Sequence, residues 1–68
     1  MKNKELIKLR VDHDVTQVDM ATICGVSKST YNFIENCKRR GSEEFWRSLQ
    51  AHFKLSGEQM WKLQNPRI

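Results

Sequence analysis

The stretch SKSTYNF, residues 27–33, gathers side chains that suit the edges of nucleic-acid bases. An amide can pair with adenine, a hydroxyl with several edges, a lysine with guanine and an apolar group with the thymine methyl. On a helical wheel with Tyr31 at zero and ~100° per residue, Ile34 and Ser27 fall close beside it on the inner side. Lys28 lies on the flank, and Ser29, Asn32, Phe33 and Asn36 cluster opposite, with no acid among them. A merely solvated face mixes Glu with Lys and avoids Phe. Two readings of Phe33 follow, contact with a base or sugar and packing on the next helix; Lys28 serves equally as phosphate ligand or guanine reader. Lys38, Arg39 and Arg40 come directly after this segment, where cations suit phosphate better than they suit a solubilising run.

Short helices must position these groups. Leu6, Leu9, Arg10 and His13 share one face of a helix over about Lys4 to His13. HDV then makes a turn in which Asp14 can take the left-handed conformation. Thr16 caps a second helix from Gln17 to about Cys24, and Gly25 stops it. Ser27 caps a third to about Asn36. CKRRG is a basic loop. Ser42 caps a fourth, with Glu43 and Glu44 in its first turn, a Trp46–Leu49–Phe53 stripe and Phe45 at its margin. Ser56 opens a fifth carrying Met60, Trp61 and Leu63. The expectation is a single all-α domain over residues 1–68, with helices two and three crossing sharply at about residues 17–36. That pair is a helix-turn-helix, which holds its second helix out for a DNA major groove. Ala21 permits the close approach, and Val26 plugs the angle.

The bulk numbers agree with a polyanion-binding role. The 68 residues carry 12 Lys plus Arg against 8 acids, a net charge of +4, and 38% of them are hydrophobic. This is enough for one small core without a ligand cavity. MKNKELIKLR has no apolar run longer than Leu6-Ile7, so no secretory signal or membrane span is expected, and the expected compartment is the cytoplasm, at the nucleoid. Cys24 and Cys37 lack CxxC spacing. With His13 and His52 they match no zinc pattern, so no metal or other cofactor is expected, and Cys24 reads as core. Nothing here activates a nucleophile, so neither enzyme activity nor a small-molecule substrate is expected.

TQVDMATICGVSKSTYNFIE resembles the signature of the lambdoid repressor and Cro helix-turn-helix family, the XRE family. The likeness rests on Thr16, Gln17, Met20, Ala21, Gly25, Val26, Ser27, Thr30, Ile34 and Glu35, with Leu9-Arg10 upstream and Phe53-Lys54-Leu55-Ser56 downstream. It implies a compact five-helix lambda-repressor-like domain. By position it implies base contacts from Ser27, Lys28, Ser29, Asn32 and Phe33. Phosphate contacts are implied for Gln17, Asn36, Lys38, Arg39 and Arg40, and a structural ion pair for Arg10 and Glu35. Cys37 stands where the family usually has Gly, Tyr31 where it has Ile or Val, and Gly41 where Pro is common; these departures concern the loop conformation more than the function.

The partner implied is double-stranded DNA, as a palindromic operator, because one recognition helix reads few base pairs and specific affinity needs two half-sites about 34 Å apart. A weak homodimer, formed mainly on DNA, is expected from the fifth helix and the tail, with Trp61, Leu63 and Ile68 as candidate contacts. The opposing expectation is that Met60 and Trp61 close the domain's own core. Two further readings stay open: an antitoxin with the same fold that also binds a toxin protein, and a helical interaction module that binds no DNA.

Overall fold

The computed structural model describes residues 2–66. Among them are five helices and no strand: α1 Lys4–Asp12, α2 Gln17–Cys24, α3 Lys28–Glu35, α4 Glu43–Phe53 and α5 Gly57–Gln64. None is long and apolar enough to cross a membrane. Each begins at a side-chain cap. Asn3, Thr16, Ser27, Ser42 and Ser56 accept from the backbone N–H of Leu6, Asp19, Thr30, Phe45 and Gln59. Each such bond is worth ~1 kcal/mol, which matters when no helix exceeds 11 residues.

The helix ends follow one rule as well. Asp14, Gly25, Cys37 and Lys54 all have positive φ, between 54° and 70°. The next residue's N–H then returns five positions: Val15 to Arg10, Val26 to Ala21, Lys38 to Phe33 and Leu55 to Gln50. These closures use carbonyls that the helix would otherwise leave unpaired. Only one of the four positions is glycine. At Cys37 (φ 59°) the left-handed backbone of a residue with a Cβ costs on the order of 1 kcal/mol. Cys37→Gly should therefore raise stability by about 0.5–1 kcal/mol, less whatever the freer unfolded chain returns. Urea denaturation checks this, and a lower midpoint would show the thiol to be an important packing group.

α2 lies against α3 and α4, while α1 packs on α3 and α5. The core between them holds Leu6, Met20, Tyr31, Phe45 and Leu49 with almost no exposed surface, bordered by Ala21, Cys24, Ile34 and Leu63. Several sequence expectations change here. Phe45 is central to the core, because α4 turns Phe45, Trp46 and Leu49 inward together. Met60 is buried, whereas Trp61 is 51% exposed and closes nothing. Leu63 is 5% exposed beneath the domain's own surface and is unavailable as a dimer contact; Ile68 lies outside the described residues. Ser27 faces solvent and is not inside the core, because its hydroxyl caps α3 from outside.

Burial pushes the Cys24 thiol up to about 11, so it is an inert core group. Tyr31 is fully buried, and its hydroxyl has no hydrogen-bond partner among the described residues. Burial, reinforced by the nearby Glu35 carboxylate, holds its proton far above the ordinary phenol range. An unpaired buried hydroxyl costs about 1–3 kcal/mol, so Tyr31→Phe should leave the melting temperature unchanged or raise it. The pH dependence has a definite sign. A raised folded pKa means stability is intact below the unfolded phenol value of about 10 and falls as pH climbs beyond it, a loss that Tyr31→Phe should reduce. Denaturation at pH 8 and above pH 10 measures both effects, and clear destabilisation at pH 8 would mean that the hydroxyl is paired after all.

Candidate nucleic-acid interface

The α2–α3 pair is held by a turn that needs a left-handed residue at Gly25, φ 70°. Gly25 and Val26 donate back to Thr22 and Ala21, which ends α2, and Ser27 then starts α3 within two residues. Ala21 is buried at the contact, and Val26 packs against the core in the angle.

On α3, Tyr31, Ile34 and Glu35 point inward. Ser27, Lys28, Ser29 and Phe33 are exposed, and Asn32 and Asn36 are half-buried. The two amides are linked: Asn36 Nδ2 donates to the Asn32 carbonyl at 2.9 Å and to its Oδ1 at 3.1 Å. That bond leaves the Asn32 Nδ2 donor and one Oδ1 lone pair unused. The only acid on α3 is Glu35, buried beneath it. Its outward side therefore carries no negative charge.

Three donors share the Glu35 carboxylate. Arg10 Nε donates to Oε2 at 3.1 Å, and Gln17 Nε2 donates to Oε1 at 3.0 Å. The Arg10 guanidinium extends to the Val15 carbonyl at 3.4 Å and to Oε1 at 3.5 Å. One carboxylate thus ties α1, α2 and α3 together. Gln17 spends one of its two Nε2 hydrogens on this brace, so what it can still offer a phosphate is the other hydrogen and its backbone N–H at the start of α2. Lys28 lines the same shallow groove as Gln17, Thr16 and Val18, beside that helix start.

Beyond α3 the basic loop is fixed in place. Trp46 Nε1 donates to the Arg40 carbonyl at 2.9 Å. Gly41 has φ 81°, and a Cβ there would sit 3.1 Å from Trp46 Nε1 and 3.2 Å from Phe45, so proline could not replace it in this loop. Lys38, Arg39 and Arg40 are all exposed. The Arg39 guanidinium carbon lies 5.3 Å from the Phe33 ring centroid and Lys38 Nζ lies 6.0 Å from it.

Two positioning residues escaped the sequence reading. Asn3 is 4% exposed; it caps α1, donates from Nδ2 to the Leu63 carbonyl at 2.9 Å and from its backbone N–H to the Glu35 carbonyl at 2.7 Å. An asparagine three residues before a buried leucine was its local signal. Trp46 had none, because its hold on the loop is a tertiary contact.

Among the described residues no cluster of His, Cys, Asp and Glu could hold a metal ion; His13 and His52 instead flank Phe53, with ring centroids at 4.6 and 4.8 Å. A family model described as helix-turn-helix matches residues 6–60, most of the chain and all of the α2–α3 pair. No curated protein and no solved structure gave a match. Helices, turn geometry and family match agree: the chain belongs to the XRE-type helix-turn-helix family, a family of DNA-binding regulators rather than of enzymes.

Proposed function

We propose that the protein is a Cro-like or repressor-type transcriptional regulator that sets residues 28–36 into the major groove of a palindromic operator. The observation that carries this reading is the outward side of α3. Ser29, Asn32 and Phe33 face away from the core with Lys28 beside them and no acid, an inventory that fits base edges. Ser27, at the cap, is exposed as well. Asn36, Lys38, Arg39 and Arg40 would follow the phosphates at one end of the helix, and Gln17 and Lys28 those at the other. Lys28 suits phosphate better than guanine, since it borders the start of α2, where the helix dipole already favours an anion.

Trp61 supports pairing of two copies. A tryptophan half in water on the last helix is an unfilled apolar contact, and a two-fold dimer through it would place two recognition helices on successive half-sites. The dimer would be weak and form mainly on DNA. The site of action would be the cytoplasm, at the nucleoid, and regulation would proceed by occlusion of a promoter.

Selection of bound duplexes from a random pool tests this. The expected result is an enriched palindrome whose half-sites are one helical turn apart. Enrichment of no sequence, with duplex binding absent at low salt, would overturn the reading.

A further inference from the structure

Phe33 is the one aromatic on the outward side of α3, and the residue is 36% exposed. Its surroundings are set by the chain reversal at Cys37. Lys38 and Arg39 both return their backbone N–H groups to the Phe33 carbonyl, at 2.8 and 3.3 Å. Their side chains then come back over the ring of the same residue, Arg39 at 5.3 Å and Lys38 at 6.0 Å. A cation over an aromatic face is attracted by the ring quadrupole out to about 6 Å, and a guanidinium adds planar stacking that an ammonium lacks. Stacking also leaves the guanidinium N–H groups free along its edge, where they can meet a phosphate two at a time.

We infer that Phe33 is a positioning residue that holds the Arg39 guanidinium at the end of the recognition helix for a DNA phosphate, instead of a group that itself reads a base. The inference rests on the DNA-binding reading above and changes the role of one residue in it. Phe33 contributes through Arg39, so its effect should be independent of sequence. Arg39 becomes the ordered cation of the basic loop, while Lys38, at the limit of the ring's reach, stays a mobile charge. The free protein would thus already hold one phosphate ligand in place, which lowers the ordering cost of binding.

Two sets of measurements test it. Without DNA, nuclear magnetic resonance should show the Arg39 side-chain protons shifted upfield by the Phe33 ring in the wild type and in Phe33→Tyr, and not in Phe33→Leu. An Arg39 shift unchanged in Phe33→Leu overturns the stack whatever the protein binds. With DNA, Phe33→Leu keeps an apolar group for a thymine methyl but removes the ring. It should weaken binding about two- to five-fold on the selected operator and on random duplex alike, with Phe33→Tyr near wild type. Arg39→Ala should lower the salt slope by about one unit in the wild type and cost less affinity in the Phe33→Leu background. A Phe33→Leu loss confined to the operator, or an Arg39→Ala cost identical in both backgrounds, would overturn the positioning role. Failure of the wild type to bind any duplex would sink the regulator reading and the phosphate role with it, while the DNA-free shifts would still decide the stack.

Discussion

Glu35→Ala should cost about 3–5 kcal/mol and leave much of the chain unfolded at ordinary temperature. A domain of 68 residues has about 3–10 kcal/mol in total, so one such loss approaches the whole. The physical reason is the set of donors that Glu35 serves. Arg10, whose side chain is only 20% exposed, would keep its charge in a partly dry site with no counter-charge, and the Gln17 amide would lose its acceptor. Three helices are joined through that one side chain, so the damage would not stay local. Glu35→Gln should fall between wild type and alanine, because it keeps an acceptor for Arg10 but discards the charge. The pair Arg10→Met with Glu35→Leu should recover most of the stability, since apolar groups of similar size need no partners. Urea unfolding of the three variants beside the wild type checks the argument. A loss below about 1 kcal/mol for Glu35→Ala would mean that solvent screens the pair as it screens a surface ion pair.

That ion pair bears on what the amino-acid order alone makes legible. Local chemistry reads well. Thr16, Ser27, Ser42 and Ser56 cap the helices whose starts they mark, and Gly25 stands at the left-handed position that ends α2. These features need only a few neighbouring residues to act, so a linear reading reaches them. Side-chain depth reads less well, because it depends on which helix lies opposite. Phe45 and Trp61 are both large aromatics near an amphipathic stripe, yet one is 1% exposed and the other 51%. α4 is covered by α2, whereas α5 packs on α1 and leaves Trp61 open to water. Periodicity gives the direction of a stripe but not the width of what covers it. The candidate interface divides in the same way. The wheel of α3 identifies its outward side and puts Asn32 and Asn36 one turn apart on it, but the cations above Phe33 cannot be read without the chain reversal at Cys37, a position where nothing in the residue type announces positive φ.

The Asn32–Asn36 bond sharpens the second large prediction. Asn32→Ala should reduce affinity for the selected operator by about 1–3 kcal/mol, roughly 5- to 150-fold, and leave binding to random duplex nearly unchanged. A bidentate amide–adenine pair needs one donor and one acceptor in a fixed plane. Asn36 supplies that fixation, since its Nδ2 holds the Asn32 Oδ1 at 3.1 Å while the Asn32 Nδ2 stays free. Asn36→Ala should then reproduce part of the operator loss by releasing the Asn32 amide, in addition to any phosphate contact of its own. Folding is not the confounder, because the Asn32 side chain meets only another half-buried amide and its removal leaves no buried group unpaired. Anisotropy titrations at one salt concentration, on the operator and on a scrambled duplex, separate the terms. Equal losses on both would mean that Asn32 meets the sugar-phosphate backbone, and the base-reading side of α3 would then have to be sought in Ser29.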